Sequence, residues 1–316
     1  MMFRLASGIG ISIMLLSSFV FANEGNAVNS PQREEIKHSR DTIVVGRVSA
    51  NPRKHFKHLK PVADYLAHNL QDLGISKGEV LFAKDNEQMV RYIKQGKIDF
   101  ITETIFSAVE FRQRAGAEVV LRRWKKGVPE YSSIIFTRKD NDIASFENLI
   151  GKTIAFQDQG STTAFYVPAS ILIQNGYKLI QLDNPRDKPP ADSIGYVFAK
   201  KEINISAWVH KGIVAAGALS NLDWDNDEDM PTNFRGDSRV IYESIPFPRS
   251  VELIRKDIDP AIKHRLVEIL ISAHEVDEGK EVLKAYQKTT RFDELSGSEE
   301  SFRLVSELTS ILSEQL

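Results

Sequence analysis

The residues of this chain best suited to hold a ligand are three consecutive hydroxyl side chains, Ser161, Thr162 and Thr163, which follow Gly160. An apolar, strand-like run at 153–156 precedes them, and apolar residues at helical spacing come after them. The first N–H groups of a helix have no partner within it and carry partial positive charge, so hydroxyls there can complete an anion cradle. Gly160 would let the backbone approach the anion closely. The alternative is that one hydroxyl only caps the helix, the commonest use of such residues.

Two further polar clusters lie at the ends of two segments that resemble each other. Residues 89–104 and 207–221 each read as an amphipathic helix, a glycine, a short strand and a polar tip. The tips are Glu103 and Thr104 in the first segment and Ser220 and Asn221 in the second. Ligands of open parallel sheets bind beyond the carboxyl ends of the strands, so we expect both tips to face one cleft together with the three hydroxyls. Any two helix–strand units look somewhat alike, which leaves a chance resemblance as the alternative.

The rest of the sequence shows no catalytic or metal-binding constellation. An acidic run at 223–227 begins like a calcium loop, but the required glycine and final glutamate are missing. His55 and His58 have no third metal ligand nearby in sequence. We therefore predict no cofactor, no metal and no enzymatic activity. A secreted hydrolase with Ser161 as nucleophile is the alternative, and it requires a histidine and a carboxylate beside that hydroxyl.

The N-terminus predicts export. Residues 1–22 carry one early cation, a long apolar run and a small-residue cleavage pattern, which is typical of a cleaved signal peptide, and residues 23–40 read as a flexible leader. The chain has no cysteine, which excludes a disulfide framework and a lipid-modified N-terminal cysteine. Its formal net charge of −2 gives no indication of a nucleic-acid partner. We predict a periplasmic protein.

The mature chain alternates strands and helices, which predicts an α/β fold with mixed, mostly parallel sheets flanked by helices. Pro61 is expected to break the first helix or to mark the first turn of its main part, and Asn86 to cap the second. After a strand at 251–254, only helices are expected. About 290 residues remain once a signal peptide is removed, which is enough for two domains.

The order of several short motifs resembles the phosphate, phosphite and phosphonate group of periplasmic substrate-binding proteins that serve ABC importers. The resemblance covers nearly the whole mature chain and is carried by residues 61–66 (PVADYL), 96–99 (GKID), 131–136 (YSSIIF), 145–149 (SFENL) and 155–163 (AFQDQGSTT). It implies a type II periplasmic binding protein: two lobes, 41–130 plus 246–316 and 131–245, joined by crossover hinge strands.

The resemblance also implies a function. A small oxyanion such as a phosphonate or phosphate would be held at Ser161, Thr162 and Thr163, and the closed protein would deliver it to an ABC permease. A membrane sensor is the alternative partner. Two positions depart from the family pattern, since Glu103 stands where an aromatic residue is common and Ala215 where an aspartate is common. A carboxylate beside a phosphonate repels it unless it pairs with a ligand ammonium group or is protonated.

Overall fold

The computed structural model describes residues 41–49, 51–295 and 299–315. The predicted signal peptide and leader lie outside these residues. The strands are β1 Thr42–Val48, β2 Lys77–Ala83, β3 Phe100–Glu103, β4 Glu118–Lys125, β5 Glu130–Tyr131, β6 Ser133–Arg138, β7 Thr153–Phe156, β8 Leu179–Gln181, β9 Ile194–Phe198, β10 Ala216–Ser220, β11 Ser238–Glu243, β12 Phe247–Pro248, β13 Val251–Ile254 and β14 Thr289–Asp293. The helices are α1 Pro52–His68, α2 Asn86–Lys94, α3 Ile105–Ala115, α4 Val167–Gln174, α5 Glu202–His210, α6 Asn221–Trp224, α7 Thr232–Gly236, α8 Pro260–Ser272, α9 Asp277–Ala285 and α10 Glu299–Gln315.

The first sheet has the strand order β14-β4-β13-β3-β1-β2. Strand β1 pairs in parallel with β2 and β3, whereas β13 pairs antiparallel with β3 and β4, and β14 antiparallel with β4. Helices α1, α8 and α9 bury apolar side chains against one face, and α2 and α3 against the other. The carboxyl ends of β1, β2, β3 and β4 meet at one edge, which is where an open sheet of this kind binds ligands.

The second sheet has the order β11-β6-β10-β7-β9-β8, with β6 antiparallel to its neighbours and β7, β8, β9 and β10 mutually parallel. Strand β10 lies between a parallel and an antiparallel neighbour, just as β3 does in the first sheet. Both strands follow a helix and a glycine in the left-handed region, Gly96 (φ 60°) and Gly212 (φ 65°). The two similar sequence segments therefore occupy equivalent positions in the two sheets. The expected mixed sheets are confirmed, although antiparallel pairs are as frequent as parallel ones.

Two short segments and one helix connect the sheets. Strands β5 and β12 pair antiparallel as a separate two-stranded ribbon at the crossover points. Helix α10 packs against both α3 and α4, with Val305 and Leu308 fully buried, and Leu308 O accepts a hydrogen bond from Ser170 Oγ at 3.2 Å. The ring of Phe106 in α3 stacks on Tyr166 just before α4, with centroids 4.8 Å apart. The apolar layer under α10 thus includes side chains next to both sheets.

Three local predictions are wrong. Pro61 lies inside α1, which runs through it, because a helix of this length with a fully buried face tolerates the loss of one backbone hydrogen bond. The side chain that caps α2 is Asp85, which accepts from Gln88 N, and not Asn86. A strand, β14, follows β13 beyond α9 because its residues complete the edge of the first sheet beside β4.

Candidate ligand-binding site

The predicted anion cradle lies at the start of a helix, as expected. Strand β7 ends at Phe156, and the helical run begins at Thr162 with one wide π-helical turn that continues into α4. Ser161 is the N-cap, and its hydroxyl accepts from Ala164 N at 3.2 Å. Gly160 donates its N–H to Asp158 Oδ1 at 2.8 Å. One of the three hydroxyls therefore caps the helix, which leaves the two threonines.

Thr162 differs from its neighbours because its hydroxyl makes no well-formed hydrogen bond, although the Tyr131 phenol lies close enough to interact with it. Its side chain is 4% exposed, and Oγ1 is buried without a hydrogen bond to any described residue. Thr163 is also buried, and its carbonyl oxygen accepts from Ser133 Oγ at 2.5 Å. A buried hydroxyl without a partner costs about 1–3 kcal/mol, so a native fold keeps one mainly where another group can reach it. Thr162 Oγ1 is the strongest candidate for a ligand donor in the cradle.

The crossover segments add a phenol beside Thr162 and a guanidinium near that phenol. Burial raises the pKa of Tyr131 to about 12, while a hydrogen-bonding interaction with Thr162 and the Arg249 charge oppose that rise. Tyr131 therefore stays protonated and can donate to an anion. Burial also lowers the pKa of Arg249, which donates to Lys125 O at 2.9 Å. A neutral donor and a cation from β5 and the end of β12 thus lie at the junction of the two sheets.

More cations lie at the carboxyl edge of the first sheet. Arg123 is 1% exposed, and its Nη1 has no hydrogen-bond partner although Nε lies 3.4 Å from Glu252 Oε1. Arg47 Nε and His55 Nδ1 are likewise buried and unpaired. Burial and then the Arg123 and Arg249 charges lower the pKa of Lys125 to about 7. Burial and then the Arg47 charge lower the pKa of His55 to about 4, so it is neutral. This edge has an excess of positive charge and of free donors.

Glu103 is held by the backbone instead of pointing freely into solvent. Its carboxylate accepts hydrogen bonds from Val48 N at 2.8 Å and from Thr104 N at 3.2 Å, and the residue is only 8% exposed. Burial raises its pKa, and the Arg47 charge opposes that rise. Glu103, Thr104 and Gly160 line one cavity of about 960 Å³. The structure thus brings these three predicted residues to a single cleft, whereas Ser161, Thr162 and Thr163 do not line it.

Ser220 and Asn221 form structural contacts at the end of β10. Ser220 Oγ accepts from Asp223 N at 3.0 Å, and the Asp223 carboxylate accepts in return, which makes a capping box for α6. Asn221 Oδ1 accepts from Ser132 N at 3.0 Å, and Asn221 N donates to Ser132 O at 3.1 Å. These bonds fasten the crossover segment to the second sheet. Neither residue lines the cleft of Glu103, and their ligand contact stays a prediction.

The hydrolase alternative gains no support from the geometry. Within the described ranges, no histidine or carboxylate hydrogen-bonds to Ser161 Oγ, which accepts from the backbone amide of Ala164. No group of acidic, histidine or cysteine side chains there could hold a metal ion. The same part of the chain contains no helix of the length and apolarity that crossing a membrane requires.

Sequence reasoning missed the cations and the phenol. In the sequence, Tyr131 belongs to a motif without an assigned role, and nothing singles out Arg47, Arg123 or Lys125. Arg249 follows the return linker and reads as a solvated surface residue, whereas the structure partly buries it. The run at 122–126 (RRWKK) is visibly basic, but only the sheet order places it at the same edge of the sheet as the end of β1.

Comparison with known proteins gives a consistent result. The family described as ABC transporter, phosphonate, periplasmic substrate-binding protein matches residues 48–299. A Xanthomonas citri protein, XAC2383, solved with chloride ion and with ATP, is 33% identical with a TM-score of 0.79, over 88% of this chain and 100% of that one. PhnD1 from Prochlorococcus marinus, solved with methylphosphonate, is 16% identical with a TM-score of 0.59, over 87% of this chain and 99% of that one, a likeness in fold.

Proposed function

Because the chain belongs to the periplasmic substrate-binding protein family of ABC phosphonate transporters, we propose that it captures a phosphonyl or phosphoryl oxyanion at Thr162 and Tyr131. The observation that carries this proposal is the buried Thr162 hydroxyl at the first turn of a helix, which makes no well-formed hydrogen bond and lies beside the Tyr131 phenol. A tetrahedral anion there would accept from that hydroxyl and from the free N–H groups of the helix. The family consists of substrate-binding transport proteins, so binding and release, not chemistry, is the activity.

The electrostatics favour a dianion. Tyr131 supplies a neutral donor, and Arg249, Lys125 and Arg123 supply positive charge from the other side of the junction. Charge-assisted hydrogen bonds are about twice as strong as neutral ones, and Arg and Lys are the usual partners of phosphate groups. The family binds phosphonates, and the relative at 33% identity was solved with ATP, so the shared –PO₃ group is the common feature we assign to the ligand.

Closure of the two lobes would couple binding to delivery. We keep the division at 41–130 plus 246–316 and 131–245, with β5 and β12 as the hinge. A ligand that contacts the second lobe through Thr162 and the first through its cations binds the closed state better and shifts the population toward it. The family works with ABC permeases, and we propose that the closed form docks on one. A membrane sensor is the alternative partner, and loss of ligand uptake on deletion of the gene would favour the permease.

The family is periplasmic, and we propose that export uses residues 1–22 as a cleaved signal peptide. N-terminal sequencing of the protein recovered from the periplasm should begin at Asn23. An intact N-terminus in the membrane fraction would instead indicate an anchor.

A thermal-shift screen tests the ligand class. The panel is phosphate, phosphite, methylphosphonate, aminoethylphosphonate, ATP, sulfate, a sulfonate and acetate. A ligand present at one hundred times its Kd stabilises the folded state by about 2.7 kcal/mol, which corresponds to a Tm increase of roughly 5–10 °C for a chain of this size. We expect the phosphorus oxyanions to raise the Tm and the carboxylate to leave it unchanged. A response to acetate or the sulfonate alone would contradict the proposal.

A further inference from the structure

A second cavity, of about 580 Å³, lies on the α1 and α9 side of the first sheet, and most of its lining residues are cationic. Its cationic residues are Lys57, Lys125, Lys126, Arg249, Lys284 and Lys288. No acidic side chain lines it among the described residues, and none of these six forms a salt bridge there. The whole chain has a formal net charge of −2, so this concentration of positive charge is local.

The fold brings these like charges together at a cost in free energy. Lys125 and Arg249 are partly buried, and burial lowers the pKa of each. For Lys125, the charges of Arg249 and Lys126 in the same cavity lower the pKa further. Lys126, Gln287 and Lys288, which line the same cavity, have φ of 55°, 55° and 57°. Outside glycine this left-handed conformation costs on the order of 1 kcal/mol per residue and is concentrated at ligand sites. An anion between these residues would relieve the repulsion.

Beneath the cavity, a buried cation has an unused donor. Arg123 is 1% exposed, and its Nη1 has no hydrogen-bond partner. Its Nη2 donates to Gln287 Oε1 at 3.3 Å. Arg47 Nη1 donates to the same oxygen at 3.4 Å. Both arginines therefore engage the oxygen of Gln287, which leaves its amide nitrogen to donate to a ligand.

We infer that this cavity binds the phosphate chain of a linear di- or triphosphate, whether that chain is free or esterified. Six cations exceed what one phosphate group needs, and the volume exceeds that of one phosphate group. Arg249 lines the cavity and also perturbs the pKa of Tyr131, so the cavity adjoins the site proposed above. The inference rests on the proposed function in one respect: the same ligand would place one phosphoryl group at Thr162.

Titration calorimetry in low-salt, magnesium-free buffer tests this, with sodium tripolyphosphate and methylphosphonate as probes. The test variant is Lys57→Gln with Lys284→Gln, which removes two exposed rim charges from α1 and α9. The matched control is Lys94→Gln with Lys211→Gln, two exposed lysines at the carboxyl ends of α2 and α5, at the other edge of the sheets. We expect the rim variant to bind tripolyphosphate at least about tenfold more weakly and to lose much of its salt dependence, and the control to change by less than about twofold.

The outcomes separate this inference from the proposed function. No binding of tripolyphosphate by the native protein, or equal binding by the rim variant and the control, would overturn the inference. If Thr162→Val abolishes methylphosphonate binding while the rim variant keeps full tripolyphosphate affinity, the proposed function stands and the inference falls. If only the rim variant loses affinity, the inference stands and the cradle at Thr162 falls. Tighter binding of ATP than of tripolyphosphate would indicate that the phosphate chain comes from a nucleoside ester.

Discussion

Substitution of Thr162 by valine should move stability and ligand affinity in opposite directions. In the ligand-free protein Thr162 is 4% exposed, and its Oγ1 is buried beside the Tyr131 phenol without a well-formed hydrogen bond. Replacing that hydroxyl by a methyl group of similar size removes an unsatisfied polar atom, so the free energy of unfolding should stay equal or rise by about 1–3 kcal/mol. For a chain of this size, such a rise corresponds to a Tm increase of roughly 2–10 °C.

Affinity should fall because the ligand loses a donor. A hydrogen bond to a charged group contributes about 1.5–3 kcal/mol, which corresponds to a roughly 10- to 150-fold weaker Kd. Titration calorimetry with the best ligand of the thermal-shift screen measures the Kd, and calorimetric melting of the free protein measures the Tm. The matched control is Thr232→Val, an exposed threonine at the first position of α7. Unchanged affinity in Thr162→Val, together with a lower Tm, would show that the hydroxyl has a structural partner and would refute the reasoning.

Three further predictions address other residues of the candidate sites. Glu103→Gln should strengthen binding of methylphosphonate and weaken that of aminoethylphosphonate by calorimetry, because it removes a negative charge from the cleft; if neither ligand responds, Glu103 has no part in recognition. Ser161→Ala should lower the Tm of the free protein by an amount equivalent to about 1 kcal/mol, since an N-cap is lost, and an unchanged Tm would contradict the cap. The pKa of Lys125 is lowered to about 7, and the charged groups facing it are Arg123, Arg249, Arg47 and Lys126. The unfolded chain therefore binds more protons above pH 7, and the stability of the free protein should rise with pH between about 7 and 10. Anion affinity should fall over the same range as the ammonium is lost, and Lys125→Met should flatten both profiles. A pH dependence equal in native and variant proteins would rule out Lys125 as its source.

The sequence predicts those features that depend on neighbouring residues. The start of the helix at Ser161–Thr162 follows from a strand-like run, a glycine and hydroxyls, and the equivalence of β3 and β10 follows from similar spacing around Gly96 and Gly212. Strand β14 was missed because its residues become a strand only by pairing with β4, which precedes it by more than 160 residues along the chain. Local composition contains no information on that pairing.

The cationic part of the site depends on the same long-range order. Arg47 lies near the end of β1 and Arg123 near the end of β4, and both donate to Gln287, which follows α9. Their convergence requires the order of strands in the sheet, which no local pattern contains. The capping residue of α2 is a different kind of miss, since Asp85 and Asn86 are both good caps and only the backbone geometry selects between them.

Helix α10 has a consequence for how far the protein can open. Gln113 Nε2 of α3 donates to Ser306 Oγ at 2.8 Å, and Ser170 of α4 bonds to Leu308 O, so the C-terminal helix is fastened to elements beside both sheets. In a hinge rotation, α10 can move together with one sheet and slide over the other. Otherwise, the side chains of Val305 and Leu308 must lose their buried contacts. A fluorescent reporter fused at the C-terminus would therefore change the equilibrium between the open and closed forms. A reporter placed on the exposed end of α5 would leave that equilibrium undisturbed.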